Sequence, residues 1–98
     1  MDTDTSRKKR LSVRITGRVQ GVGFRHFTKT RAARLDVEGW VRNEPDGSVR
    51  LEAEGPKGAL ESLLDAVREG PRSARVDAID VDWSAPSDEF DTFGVRYV

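Results

Sequence analysis

The residues best suited to chemistry lie in one run, GRVQGVGFR, at positions 17–25. Gly21 and Gly23 let the backbone turn tightly and approach a ligand closely. Several N–H groups can then face one concavity at the start of a helix, whose dipole favours anions. The guanidinium of Arg25 adds a planar fork of donors that fits a phosphate or a carboxylate. The run therefore predicts an anion site made by Arg25 and the backbone before it. The backbone N–H groups assigned to this site are those of Gln20, Gly21, Val22, Gly23 and Phe24.

A second chemical group, the carboxamide of Asn43, follows the predicted strand segment GWV at 39–41. Its carbonyl can accept a hydrogen bond from a water molecule and its NH₂ can donate one. Taken alone, Asn43 is better interpreted as the residue that begins a turn, here the turn at Pro45-Asp46-Gly47. Its interpretation therefore depends on where the fold places it.

The pattern of apolar residues predicts five strands and two helices. Alternation indicates strands over residues 11–15, 37–43, 49–53, 75–83 and 93–97. Helical spacing indicates one helix over 24–35 and a second that starts at Pro56 and stops before Gly70-Pro71. The order β-α-β-β-α-β, with an extra C-terminal strand, is that of the ferredoxin-like split βαβ fold. In this α+β class two helices pack on one face of an antiparallel sheet.

This topology brings the two chemical groups together. The first and second strands run parallel with one strand between them, because βαβ crossovers are right-handed and short connections are preferred. Their carboxyl ends therefore lie at the same edge of the sheet, about 10 Å apart. We expect the 17–25 loop and Asn43 to meet there.

Composition excludes several other kinds of site. The 98 residues suit one domain, with residues 1–9 as a disordered N-terminal tail and residues 10–98 as the folded part. The formal net charge of zero argues against a general nucleic-acid or membrane surface. The chain has no cysteine and one histidine, His26, which excludes a disulfide, a thiol nucleophile and a cysteine or histidine-rich metal site. Without an apolar span or signal peptide, a cytoplasmic location is expected. We also expect a monomer.

Five segments in this order resemble the acylphosphatase family. They are GRVQGVGFR at 17–25, GWVRN at 39–43, DGSV at 46–49, EG at 54–55 and GP at 70–71. The resemblance covers about residues 11–98, so it implies a single acylphosphatase-like domain. One departure is Asp36, which stands where the family usually has a glycine that ends the first helix.

The resemblance implies hydrolysis of acyl phosphates to a carboxylate and inorganic phosphate, without a metal or cofactor. In this chemistry Arg25 binds the phosphate and Asn43 orients the attacking water. Because neither group is a strong base, we expect a rate that varies little with pH apart from phosphate ionisation. No nucleic-acid or membrane partner is implied.

Two alternatives share the fold. One is an RNA-binding module of the RNA-recognition-motif type, whose glycine-aromatic pattern resembles residues 21–27. The other is a non-catalytic regulatory domain. We interpret His26 as a partly exposed surface residue. Phe24 and Trp40 are interpreted as core residues that line the site, and Glu52 and Glu54 as a solvated strand face.

Overall fold

The computed structural model describes residues 7–97, and its elements follow the predicted order. They are β1 (Lys8–Arg18), α1 (Phe24–Leu35), β2 (Glu38–Asn43), β3 (Val49–Pro56), α2 (Lys57–Glu69), β4 (Arg75–Ser84) and β5 (Phe93–Arg96). β1 begins at Lys8 because Lys8 and Lys9 pair with Pro56 and Gly55 of β3. These two lysines therefore belong to the sheet, although the sequence assigned them to the tail. Residues 1–6 of the predicted tail lie outside the described residues.

The five strands form one sheet in the order β4-β1-β3-β2-β5. As predicted, β3 lies between β1 and β2 and is antiparallel to both. The prediction of an antiparallel sheet is wrong at one edge, where β5 runs parallel to β2. The sheet is therefore mixed. This pairing is possible because residues 85–92 carry the chain from one edge of the sheet to the other.

Both helices cover one face of the sheet, where the core lies. Strand residues on this face alternate with polar ones, as in Leu11, Val13 and Ile15 of β1, which are at most 1% exposed. The apolar stripe of α2 packs on them through Leu60 and Leu63, which are also fully buried. Neither helix in the 7–97 range has the length and apolar character needed to cross a membrane.

The opposite face carries charged side chains, yet part of it is buried. Glu52 and Glu54 are only 3% and 1% exposed, so the prediction of a solvated face is wrong for them. Arg10 of β1 pairs with both carboxylates, at 3.0 Å from Glu52 and 3.2 Å from Glu54. Ser87 and Asp88, in the connection to β5, donate their backbone N–H groups to Glu54. The glutamates are buried because this connection and the arginine cover them.

Candidate active site

The loop between β1 and α1 combines left-handed backbone with open space. Gly21 and Gly23 have φ of 73° and 81°, a region that L-residues rarely adopt. No atom lies within 4 Å of the position a Cβ would take at either glycine. Glycine is therefore required here by the backbone angles, and the space beside the loop remains open to a ligand.

The N–H groups of this loop have no acceptor within residues 7–97. Among the described residues, none of the N–H groups of residues 20–24 donates a hydrogen bond to the protein. Gly23 is also the N-cap of α1 and offers no side chain to the first turn. Unpaired N–H groups at a helix start, with the positive end of the helix dipole, favour an anion. We name residues 20–24 the phosphate loop.

Arg25 lies directly after the phosphate loop, in the first turn of α1. Its side chain is partly exposed, and its guanidinium stacks on the ring of Tyr97 at 5.1 Å from the ring centre. No acidic residue lies in this first turn. Since the helix dipole disfavours a cation there, the stacked position holds Arg25 where it can bind an anion.

Asn43 is the last residue of β2 and lies on the helix-covered face, two residues after the buried Val41. It lines a pocket of about 310 Å³ together with Arg25, Glu44 and Tyr97. The structure thus brings Arg25 and Asn43 together, although they are far apart in the sequence. The hairpin turn that follows is closed by Glu44 and Gly47, whose N–H groups donate to the backbone oxygens of Ser48 and Glu44.

Gln20 has a side-chain contact that the sequence did not reveal. Its Nε2 donates to the backbone oxygens of Glu44 at 2.8 Å and Ser48 at 2.9 Å. These two bonds tie the phosphate loop to the hairpin that begins at Asn43. No local pattern announces such a contact, since the acceptors are main-chain atoms of a distant turn.

The other predicted residues divide between the core and the surface. Phe24 is 2% exposed and lines a second pocket beside the loop, and the partly buried Val22 packs against the core. His26 is exposed, as expected. Trp40 is buried but lies on the face away from the helices, under the guanidinium of Arg42. The prediction that Trp40 lines the site is therefore wrong.

No metal-binding cluster is present among residues 7–97, where no three His, Asp or Glu side chains are grouped closely enough to hold an ion. The groups that the site offers are the N–H groups of residues 20–24, the guanidinium of Arg25 and the carboxamide of Asn43.

Comparison with known proteins agrees with this geometry. The family model described as Acylphosphatase matches residues 11–95. An acylphosphatase of Salinibacter ruber is 70% identical over 93 residues, which cover 95% of this chain and 98% of that protein. An acylphosphatase of Nitratidesulfovibrio vulgaris is 52% identical, over 90% of each chain. The crystal structure of acylphosphatase from Bacillus subtilis superposes with a TM-score of 0.88 at 38% identity, covering 91% of this chain and 99% of that one.

Proposed function

Because the chain belongs to the acylphosphatase family and is an acylphosphatase hydrolase, we propose that the phosphate loop and Arg25 bind the phosphoryl group of an acyl phosphate while Asn43 orients water. The observation that carries this proposal is the shared pocket of Arg25 and Asn43 beside the free N–H groups of residues 20–24. The substrate is a small-molecule acyl phosphate and the products are a carboxylate and inorganic phosphate. A cytoplasmic location and a monomeric state remain predictions from the sequence.

The reaction needs little beyond positioning and charge stabilisation. The oxygen of the water forms a bond to phosphorus, and the bond from phosphorus to the acyl oxygen breaks. The electron pair of the broken bond leaves with the carboxylate, which is a good leaving group. The backbone N–H groups and the Arg25 guanidinium stabilise the charge on the phosphoryl oxygens.

Asn43 supplies orientation rather than basicity. Its carbonyl accepts a hydrogen bond from the water and so aims the lone pair of the water at phosphorus. A carboxamide does not take up the proton. We therefore assign the proton of the water to a phosphoryl oxygen of the substrate itself.

The two alternatives lack comparable support. In RNA-recognition motifs the glycine-aromatic pattern lies on a strand of the sheet, whereas residues 21–27 here form a loop and the first turn of a helix. A purely regulatory domain would not need a carboxamide beside the arginine in one pocket.

The test is release of phosphate from benzoyl phosphate, with a chelator present, by the wild type and by the variants Arg25→Ala and Asn43→Ala. We expect Asn43→Ala to lower turnover by about 10²–10³-fold, as for loss of one preorganised polar group. Arg25→Ala should abolish measurable activity, and Arg25→Lys should restore little because the planar fork is lost. All variants should keep the wild-type circular dichroism spectrum.

Two results would contradict the assignments. Near wild-type turnover in Asn43→Ala would leave that residue with its turn function alone. Full activity in Arg25→Lys would show that a point charge is enough, and the guanidinium clamp would then be wrong.

A further inference from the structure

A second pocket adjoins the one that holds Asn43. It has a volume of about 360 Å³ and is lined by both glycines of the phosphate loop, Arg25, His26, Lys29 and Tyr97, among others. Asn43 does not line it, whereas Arg25 and Tyr97 line both pockets. The two pockets therefore meet at Arg25.

Geometry assigns different parts of the reaction to the two pockets. In phosphoryl transfer the attacking and leaving oxygens lie roughly in line, on opposite sides of phosphorus. If the water is held on the Asn43 side, the acyl group must leave on the other side. The second pocket contains the glycines of the phosphate loop and extends to Lys29 without reaching Asn43, so we assign the leaving acyl group to the part beside Lys29 and name this pocket the acyl pocket.

Among residues 7–97, the ionisable side chains that line the acyl pocket are basic, apart from the Tyr97 phenol, and no Asp or Glu side chain lines it. Arg25 and Lys29 are one turn apart on the same face of α1, so their Cβ atoms are on the order of 6 Å apart. Lys29 is exposed and forms no ion pair with any residue of the 7–97 range. Like charges at this spacing repel each other, and an anion between them would relieve the repulsion.

From this we infer that Lys29 forms a subsite for a second anionic group on the acyl moiety. The inference rests on the proposed function. The favoured substrates are acyl phosphates whose acyl group carries a carboxylate or a phosphate at its far end. Arg25 then binds the phosphoryl group that is transferred, and Lys29 binds the anion that leaves with the acyl group.

The Lys29 side chain has an alternative direction, toward acidic residues and away from the acyl pocket. On its other side Lys29 borders a depression that is also lined by Asp36, Glu38 and Asp91. If Lys29 were directed to these acids, it would contribute nothing to substrate preference. The experiment therefore measures the preference between a charged and an uncharged substrate, and not activity alone.

The test compares two substrates of the same size, 3-carboxybenzoyl phosphate and its uncharged 3-carbamoyl counterpart, with benzoyl phosphate as the reference. For the wild type we expect kcat/KM to be about threefold to fivefold higher for the carboxy substrate, as for an exposed ion pair. Lys29→Gln should reduce this ratio to one without changing kcat/KM for benzoyl phosphate. Lys29→Glu should reverse the ratio, and Lys29→Arg should keep it. High salt should weaken the preference of the wild type.

Lys57→Gln is the matched control. It removes the same charge at the start of α2, where the Lys57 N–H bonds to Arg7 at the opposite end of β1 from the phosphate loop. We expect it to keep the wild-type ratio.

The outcomes distinguish failure of the Lys29 subsite from failure of the proposed function. A wild-type ratio of one, or a ratio that Lys29→Gln leaves unchanged, would overturn the subsite while activity on benzoyl phosphate upheld the proposed function. Absence of hydrolysis of all three substrates would overturn the proposed function as well.

Discussion

Gln20 shows how one side chain can connect two halves of a site. Its two hydrogen bonds join the phosphate loop to the hairpin that follows Asn43. Both acceptor oxygens also have a backbone partner, since the Glu44 N–H donates to Ser48 and the Gly47 N–H donates to Glu44. Removal of the amide would leave neither carbonyl unsatisfied. Removal of the Gln20 amide should therefore affect the geometry of the site more than the free energy of unfolding.

We expect Gln20→Met, which keeps the length of the side chain, to lower kcat roughly tenfold or more. Small displacements of positioned groups are costly in catalysis, up to about 10²-fold for 1 Å. The affinity for inorganic phosphate should change little, because Arg25 and the loop N–H groups remain. The loss of unfolding free energy should be about 1 kcal/mol. Steady-state kinetics, phosphate titration and urea unfolding measure the three effects.

Ser48→Ala is the control for Gln20→Met. It removes the Ser48 hydroxyl bond to Asp46 within the same hairpin but keeps the backbone oxygen that Gln20 uses. If Ser48→Ala lowered kcat as much as Gln20→Met does, the order of the hairpin and not the cross-link would set the position of Asn43.

The C-terminal end of α1 has an energetically unfavourable residue. Asp36 terminates it with φ of 57° and ψ of 40°, and its N–H bonds to the Ala32 oxygen. An L-residue in this region costs about 1–2 kcal/mol. A carboxylate at a helix C-terminus also meets the negative end of the dipole. The departure from glycine noted in the sequence therefore lies at a position that does require left-handed backbone.

We expect Asp36→Gly to raise the free energy of unfolding by about 0.5–1 kcal/mol. The relief of the left-handed conformation exceeds the extra entropy that glycine has in the unfolded chain. Asp36→Asn removes only the charge and should give a smaller gain. Asp36→Ala removes the charge too, but alanine tolerates left-handed backbone less well than aspartate, so it should give no gain. Urea unfolding at neutral pH measures the free energies of unfolding of the three variants and so ranks them. Equal stability of the glycine and alanine variants would mean that backbone strain is not the cause.

At the scale of the whole molecule, prediction from the sequence succeeded where a local pattern or a general rule of topology decides the outcome. The bounds of α1 and the meeting of Arg25 with Asn43 followed from periodicity and right-handed crossovers. The direction of β5 did not, because its four residues carry no sign of the strand they will pair with. The burial of Glu54 was missed for a related reason, since the residues that cover it lie more than 30 positions away.

Residues 85–92, which we name the strap, link this buried carboxylate to the position of β5. The strap lies on Glu54 through two backbone N–H groups and the hydroxyl of Ser87, and Thr92 accepts the Gly39 N–H where β5 begins. Burial would raise the pKa of Glu54, but the bonds from Ser87 and Asp88 and the charge of Arg10 outweigh it and hold the pKa below its usual value. β5 follows the strap and leads directly to Tyr97, which lines the acyl pocket.

A lowered carboxyl pKa in the folded state gives a definite pH dependence. The unfolded chain then binds the proton more tightly, so the stabilisation is complete above the ordinary value of 4.5 and is lost as the pH falls through the folded pKa. In Glu54→Gln this acid-dependent part should disappear, so unfolding free energy should fall less between pH 5 and pH 3 than in the wild type. At pH 7 the variant should be less stable by about 2 kcal/mol, since a charged acceptor of several bonds is lost.

The control is Glu89→Gln. Glu89 is a more exposed partner of Arg10 and Ser87, and its pKa is also lowered by these two residues. Urea unfolding across this pH range should show a smaller change for Glu89→Gln than for Glu54→Gln, and equal changes would locate the acid sensitivity outside the buried carboxylate.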